Sequence, residues 1–332
     1  MDQEDSHQSP PSQPPCLGQV LVIRPSPVFA VHEQYISNKF QILKAYESPL
    51  PTHDFLQANA QSIEVVLCSG VSPITADVLH DLPALQLVVS STTGVDHIDT
   101  AECRRRGIRV TNVGDVFSDD VADGAVGLLI DVMRRISAGD RFVPRGGRWP
   151  TTLEHPLGFK LGGKRVGIVG LGNIGSRVAT RLKAMGCLVS YTSRQKKPFT
   201  PFTFYPNVLQ LACNSDALIL CCALTNDTRH MISNTVLRAL GKTGVIVNVA
   251  RGAIINEAEL VRCLVQGDIG GAGLDVFENE PNIPNELFKL DNVVLLPHST
   301  ACTKECFFDA AMAVVSNLEA FFTSKPLPNR VP

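Results

Sequence analysis

Short apolar runs recur along the chain and alternate with stretches whose apolar residues are spaced three or four apart. In the first third, the runs occupy residues 20–23, 64–68, 87–90 and 108–111, with helical spacing at 76–82 and 100–106. Alternation of this kind is typical of parallel strands connected by helices. The pattern therefore predicts an α/β lobe built on a parallel sheet.

The second half of the chain repeats this pattern. Buried runs occupy residues 166–169, 188–191, 217–221, 244–248, 272–276 and 293–296. Six parallel strands are the number found in a doubly wound dinucleotide-binding sheet. A long apolar helix over about 121–137 precedes these strands. A closing helix over about 304–322 follows them, too late to belong to the six-strand unit, and we expect it to pack on the first lobe.

The order of these elements predicts two Rossmann-like lobes with doubly wound parallel sheets. A cofactor lobe at 115–299 is inserted into a discontinuous, flavodoxin-like substrate lobe made of 17–114 and 300–332. We expect the ligand cleft between the lobes, a preferred place for pockets. Residues 1–16 are rich in Pro, Ser and Gln, which predicts a disordered tail.

A glycine-rich segment directly follows the run at 166–169. It has the pattern G-x-G-x-x-G, in which the first glycine makes a tight turn, the second admits a pyrophosphate and the third lets helix and strand pack closely. The helix after it, expected over 176–185, would offer its N-terminal N–H groups to phosphates. A glycine-rich turn without a ligand is the alternative. The predicted contacts to a dinucleotide here are Gly170, Leu171, Gly172, Asn173, Ile174 and Gly175.

The end of the next run indicates which dinucleotide binds. An acidic residue about 20 residues past the fingerprint would bind the ribose 2′-hydroxyl of NAD. The chain instead has Thr-Ser-Arg-Gln-Lys-Lys at 192–197, where Arg194 can grip a 2′-phosphate and Ser193 can donate to it. The segment favours NADP(H) over NAD(H), with Gln195 and Lys196 as further contacts, unless the loop is only a solvated basic turn.

Composition restricts the remaining possibilities. The 332 residues are 44% hydrophobic and 19% charged, with a net charge of −2. This balance gives no sign of nucleic-acid or membrane binding. The ten cysteines lack metal-ligand spacing and fit a reducing compartment. We expect no metal, and in the absence of a persuasive targeting segment we expect a cytoplasmic location.

Three polar segments follow late strands, at the edge where ligands bind in open α/β sheets. They place Arg251 after one strand, Asp275, Glu278 and Glu280 after the next, and His298 after the last. An arginine, a carboxylate and a histidine could therefore converge on one site.

These segments carry a resemblance to a known family. The segments are Val-Ala-Arg-Gly at 249–252, Gly-Leu-Asp-Val-Phe at 273–277 with Glu280-Pro281, Pro297-His298, and the first-lobe runs at 93–99 and 107–110. Together they resemble the corresponding motifs of the D-isomer-specific 2-hydroxyacid dehydrogenases. The match extends over about 20–330. Within the family it is strongest to glyoxylate/hydroxypyruvate reductases, including plant-type enzymes with Thr-Ser-Arg after the second strand.

The resemblance implies a different role in the reaction for each of these residues. Arg251 would orient a 2-keto acid and stabilise charge on its carbonyl oxygen, while His298, paired with Glu280, would donate the proton. Glu278 competes with Glu280 for the pairing. The resemblance also implies that Asp275 accepts from the nicotinamide carboxamide, that the N–H groups of Thr93 and Gly94 hold the substrate carboxylate, and that Ala223 and Val249 contact the cofactor.

Other positions concern structure, assembly and departures from the family pattern rather than catalysis. We interpret Asp96, His97 and Asp99 as structural turn residues, and Trp149 either reaches a partner subunit or packs locally. The apolar arm at about 115–150 suggests a homodimer. The chain departs from the family pattern after His298, where Ser299-Thr300 replaces an apolar residue and glycine. It also has Asp123 where many members carry Glu, and Gly124 weakens the long helix by up to ~1 kcal/mol relative to Ala.

The sequence thus favours an NADPH-preferring reductase of hydroxypyruvate and glyoxylate, without ranking the two. An NAD-dependent D-lactate dehydrogenase is disfavoured by Arg194. A 3-phosphoglycerate dehydrogenase is disfavoured because the turn at 68–72 lacks a cation for a phosphate. A dinucleotide-sensing scaffold resembling the corepressors of this fold remains open, since such proteins can retain Arg251, Glu280 and His298.

Overall fold

A computed structural model describes residues 16–143 and 155–331. The chain divides into two compact units, of which one contains the described residues up to Val116 and from Phe307 onward, and the other spans Phe117–Cys306. Residues 1–15 of the tail predicted over 1–16, and Trp149, lie outside the described residues. Among the helices that are described, none combines the length and apolar character needed to cross a membrane.

The first unit contains a five-stranded parallel sheet in the order β2-β1-β3-β4-β5. Its core strands are almost wholly apolar and buried, as expected for a parallel sheet covered on both faces. The pattern missed β2, because its four residues include only two apolar ones, flanked by Gln41 and Lys44. The strands are β1 (Gln19–Val22), β2 (Gln41–Lys44), β3 (Val65–Cys68), β4 (Leu87–Ser90) and β5 (Arg109–Thr111).

Helices α1 (Pro27–Ser37), α2 (Thr52–Asn59), α3 (Ala76–His80) and α4 (Thr100–Arg105) connect these strands. The closing helix α11 (Lys304–Phe322) completes the unit from Phe307 onward. The fully buried Asn317 on α11 donates to the carbonyl of Asn112 at 3.2 Å, and Glu319 pairs with Lys39. The chain thus passes from the second unit back to the first inside α11, and not at the expected residue 300.

The second unit contains a seven-stranded parallel sheet in the order β12-β11-β10-β9-β6-β7-β8. Six strands correspond to the predicted runs, and the seventh, β8, is a two-residue edge strand too short to show a pattern. The order reverses between β6 and β9, which is where open α/β sheets bind ligands. The strands are β6 (Arg165–Val169), β7 (Leu188–Thr192), β8 (Thr203–Phe204), β9 (Ala217–Leu220), β10 (Val245–Asn248), β11 (Gly271–Leu274) and β12 (Val293–Leu295).

The long helix predicted over 121–137 is two helices, α5 (Ser118–Arg134) and α6 (Ile136–Phe142). Arg135 adopts a left-handed backbone with φ of 56° and separates them. The buried face of α5 lies on the sheet, where Gly273 leaves room for Leu128 and Val132. The remaining helices are α7 (Asn173–Ala184), α8 (Val208–Cys213), α9 (Asn234–Leu240) and α10 (Glu257–Gln266). The prediction of an α/β chain with two parallel sheets is confirmed.

Candidate active site

The glycine-rich segment forms the turn from β6 into α7 at the reversal of strand order. Gly170 has φ of +96°, and a Cβ on it would lie 2.8 Å from the backbone of Cys222 after β9, so only glycine fits. A Cβ on Gly175 would collide with the carbonyl oxygen of Gly170, whereas one on Gly172 would face open space. Helix α7 begins at Asn173 rather than at the expected Ser176, so its first N–H groups belong to the fingerprint itself.

Basic and polar side chains follow β7, the strand next to β6 in the sheet, and therefore lie near this turn. Gly170 donates its backbone N–H to the carbonyl of Thr192 at 2.9 Å, which joins the two segments. The fully buried Tyr191 accepts a hydrogen bond from the Lys197 N–H at 2.8 Å. Sequence reasoning missed this anchor, because a tyrosine in an apolar strand looks like ordinary core.

The loop held in this way presents Arg194, Gln195 and Lys196 to solvent. The Ser193 hydroxyl donates to the carbonyl of Gln195 at 2.6 Å and would have to turn to reach a phosphate. The exposed cations, the absence of a carboxylate from 192–197 and the open space at Gly172 all fit a phosphorylated dinucleotide. Ala223 after β9 and Val249 after β10 lie at the same sheet edge, and the side chain of Leu171 points into the core.

Arg251 lies in a tight turn after β10, followed by the 3₁₀ segment Gly252–Ile254. Asn248, fully buried, closes this turn by accepting from the Ala250 N–H at 3.1 Å and donating to the Arg251 carbonyl at 3.0 Å. The Arg251 guanidinium donates to the Ala250 carbonyl at 2.7 Å. Gly252 packs so closely on the backbone of Phe277 and Glu278 that a Cβ would collide with both.

His298 and Glu280 are brought together from two different loops. His298 Nδ1 lies 2.9 Å from Glu280 Oε2, and the Phe277 N–H donates to Glu280 Oε1 at 3.0 Å. The hydrogen bond to Glu280 raises the pKa of His298, and burial lowers it less. Partial burial pushes the pKa of Glu280 upward, but the hydrogen bonds from His298 and Phe277 outweigh it and leave that pKa below its ordinary value. The pair therefore favours imidazolium beside carboxylate.

The competing carboxylate, Glu278, faces another group. Its Oε1 lies 2.6 Å from Nε2 of His230 and 3.5 Å from the guanidinium of Arg229. Its N–H donates to the carboxylate of Glu257 at 3.0 Å. The structure thus brings Glu280, and not Glu278, to His298.

Asp275 follows β11 and is only 1% exposed. Its carboxylate accepts from the Ser299 N–H at 2.6 Å and from the Thr300 hydroxyl at 2.6 Å. Its own carbonyl accepts from the His298 N–H at 2.7 Å. Asp275 therefore holds the loop that carries His298, a task the sequence did not reveal, and its expected bond to a carboxamide stays a prediction.

The Thr93–Gly94 segment follows β4 in the first unit. The Thr93 hydroxyl donates to the Gly114 carbonyl at 3.0 Å, and Asn112 donates to the Thr93 carbonyl at 2.8 Å. Within the described residues, the N–H groups of Thr93 and Gly94 make no hydrogen bond to protein, so they are available to a carboxylate. Asp99 caps α4 by accepting from the Glu102 N–H at 2.9 Å, which is the structural role expected for this turn.

Comparisons with known proteins agree with this architecture. The family described as "D-isomer specific 2-hydroxyacid dehydrogenase, NAD binding domain" matches residues 126–300. The chain is 49% identical over 319 residues to glyoxylate/hydroxypyruvate reductase HPR3 of Arabidopsis thaliana, covering 95% of this chain and 97% of that protein. It is 45% identical to a hydroxyphenylpyruvate reductase of Plectranthus scutellarioides, covering 92% and 97%.

Solved structures give the same result. The NADPH-dependent glyoxylate/hydroxypyruvate reductase SmGhrB of Sinorhizobium meliloti, in complex with NADP and malonate, superposes with a TM-score of 0.86. It is 33% identical in sequence, and the match covers 96% of this chain and 97% of that one. The chain therefore belongs to the D-isomer-specific 2-hydroxyacid dehydrogenase family.

Proposed function

We propose that this protein is an NADPH-preferring reductase that converts hydroxypyruvate to D-glycerate and glyoxylate to glycolate. The observation that carries the proposal is the Glu280–His298 pair, 2.9 Å between Oε2 and Nδ1, in the same unit as the Arg251 turn and the dinucleotide turn. Relatives named glyoxylate/hydroxypyruvate reductases support the substrate class.

The residues of the pair have complementary tasks. Because Glu280 occupies Nδ1 and raises the pKa of His298, the imidazolium keeps a transferable proton on Nε2 above the pH at which a free histidine would lose it. His298 then donates this proton to the oxygen of the keto group as that oxygen becomes an alkoxide. Arg251 binds the oxygens of the 2-keto acid with its planar guanidinium and stabilises the developing negative charge.

Other residues prepare the site. The turn of Gly170, Gly172 and Gly175 with the start of α7 would receive the pyrophosphate, and Arg194 with Lys196 would bind the 2′-phosphate. When bound, NADPH supplies the hydride. The amides of Thr93 and Gly94 would hold the substrate carboxylate.

The deciding experiment is a matrix of kcat/KM for hydroxypyruvate, glyoxylate and pyruvate, each with NADPH and with NADH. We expect the highest values with NADPH and one of the first two acids. A preference for pyruvate with NADH would instead indicate a D-lactate-type enzyme. If the purified protein binds NADPH but oxidises it with none of the acids, the scaffold function replaces the reductase.

A larger substrate, hydroxyphenylpyruvate, is a second candidate. A cavity of ≈ 620 Å³ opens after β1, β2 and β3, with Arg24, Tyr46 and Ser48 as polar lining and Val71 and Ala30 as apolar lining. It shares a sheet edge with the Thr93–Gly94 loop, and β1 lies two strands, about 10 Å, from β4. An acid held at Thr93 and Gly94 could extend an aromatic tail along this edge, and one relative is named for that substrate.

Substitution of Ala30 tests this candidate. Ala30→Trp should fill the cavity and lower kcat/KM for hydroxyphenylpyruvate far more than for hydroxypyruvate. Val31→Trp changes the next residue of α1, which is exposed and outside the cavity lining, and should alter neither value. Equal effects of Ala30→Trp on both acids would exclude the cavity as a tail pocket.

We also propose a cytosolic homodimer formed through the arm at about 115–150. All ten cysteines are free, which supports a reducing compartment. Ile136, the first residue of α6, and Val143, directly after its end, are exposed apolar residues, which supports a contact surface there. Light scattering of the purified protein measures the oligomer, and a monomer at assay concentration would contradict the proposal.

A further inference from the structure

The loop after His298 is wrapped around a buried carboxylate. His298 itself has φ of 54°, a left-handed backbone that residues other than glycine adopt rarely. Its N–H, and those of the next two residues, all donate to Asp275. The Thr300 hydroxyl adds a bond of 2.6 Å to Asp275 Oδ2. The loop conformation that points His298 outward therefore depends on contacts with Asp275.

Thr300 also fits a gap in α5. A Cβ on Gly124 would lie 2.6 Å from Thr300 Cγ2 and 2.8 Å from Thr300 Cβ, so the threonine methyl occupies the space that any larger residue at 124 would need. Thr300, which departs from the family pattern, and Gly124 thus fit against each other. A side chain at 300 requires a bare backbone at 124.

Helix α5 contacts both this loop and α7, the helix that follows the dinucleotide turn. On one face, Asp119 and Asp123 pair with Arg177 and Arg181 of α7 at 2.6–3.0 Å. One residue further along the helix, Asp120 accepts from the Thr303 hydroxyl at 2.6 Å, and Gly124 receives Thr300. Residues four apart share a helix face, so α5 contacts α7 with one face and the His298 loop with another.

We propose that Thr300 is a positioning residue for His298, acting through its hydroxyl on Asp275 and through its methyl on Gly124. This inference rests on the proposed reductase function. With the hydroxyl removed, Oδ2 of the buried Asp275 keeps only the 3.3 Å contact from the Thr300 N–H among the described residues, and the loop loses one of its anchors. The position of the proton donor then varies from one molecule to another, while the dinucleotide turn is unchanged.

Thr300→Val tests the hydroxyl, since valine keeps the shape of threonine. Loss of a hydrogen bond to a charged group predicts a kcat lower by about tenfold or more, with the dissociation constant of NADPH within about twofold of wild type. Thr300→Ser, which restores the hydroxyl, should recover most of the kcat. Thr323→Val makes the same chemical change at an exposed site directly after α11, where the hydroxyl donates to the Glu319 carbonyl at 2.7 Å, and should leave kcat unchanged.

A double-mutant cycle tests the contact with α5. Gly124→Ala should lower kcat about tenfold in the wild-type background but less than about twofold in Thr300→Gly, which removes the colliding methyl. The matched control is Gly127→Ala on the same helix, where a Cβ meets nothing within 4 Å.

The outcomes separate this inference from the proposed function. If wild type turns over and Thr300→Val has the same kcat, or if Gly124→Ala is equally harmful in both backgrounds, the positioning role is wrong. If Thr300→Val weakens NADPH binding and kcat together and Thr300→Ser restores neither, Thr300 only supports folding. If wild type itself shows no turnover with any 2-keto acid, the proposed function fails instead.

Discussion

Substitution of Gly252 offers a direct test of the geometry of the Arg251 turn. A Cβ at this position would collide with the carbonyl group of Phe277 and the nitrogen of Glu278. These are backbone atoms, which cannot rotate away as a flexible side chain could. A methyl carbon needs about 3.5 Å to its neighbours, so Gly252→Ala must separate the two loops by more than about 1 Å.

This separation changes the distance between Arg251, on one loop, and Glu280 with His298, which depend on the other. A misplacement of about 1 Å costs about a hundredfold in rate when it affects groups that orient a reaction, and we expect a loss of kcat of that order. Overpacking of this kind costs about 1–3 kcal/mol of stability, which lowers Tm by about 5 °C for a unit of this size. The glycine turn is not altered, so NADPH should still bind.

The assay follows NADPH absorbance with hydroxypyruvate, alongside NADPH fluorescence titration and thermal unfolding. Gly162→Ala is the control, because a Cβ there meets only the Met185 carbonyl oxygen at the ordinary distance of 3.6 Å. A Gly252→Ala protein that is folded, binds NADPH and retains a kcat within about twofold of wild type would refute the reasoning, since the Arg251 turn would then tolerate displacement.

Three further predictions concern individual side chains. Glu280→Gln removes the group that raises the pKa of His298, so the fall of kcat with rising pH should begin at lower pH than in wild type. A profile of kcat from about pH 6 to about pH 9 measures this shift, and an unchanged profile would contradict the pairing. Arg194→Ala should raise KM for NADPH far more than for NADH; equal changes in both KM values would mean that the loop does not bind the 2′-phosphate. Arg251→Lys keeps the charge but loses the planar fork, so kcat/KM should fall about tenfold or more while NADPH affinity stays constant in fluorescence titration.

Much of the architecture could be predicted from local pattern. Buried apolar runs identified the strands of both sheets apart from β2, which has only two apolar residues, and β8, which is two residues long. The break between α5 and α6 could not be predicted, because nothing in the sequence around Arg135 indicates its left-handed backbone. Helix ends shifted by a few residues for the same reason, as at the start of α7.

The candidate site shows the same division. The positions of Arg251 and His298 directly after apolar strands indicated that both belong to one sheet edge, because parallel strands end together. The choice between Glu278 and Glu280 could not be made from spacing, since both lie in the same loop. It depends on the direction of each side chain, toward His230 in one case and toward His298 in the other.

The sequence by itself determined the order of elements, the dinucleotide turn and the residue types available for chemistry, since these are properties of neighbouring positions. Only the tertiary structure decided that Tyr191 anchors the basic loop, that Asp275 holds the His298 loop, and that Thr300 fits against Gly124. Each of these contacts is set by the three-dimensional path of the backbone, and the last two join residues far apart in the chain. The missing Cβ of Gly124 acquires meaning only when the fold places another residue against it.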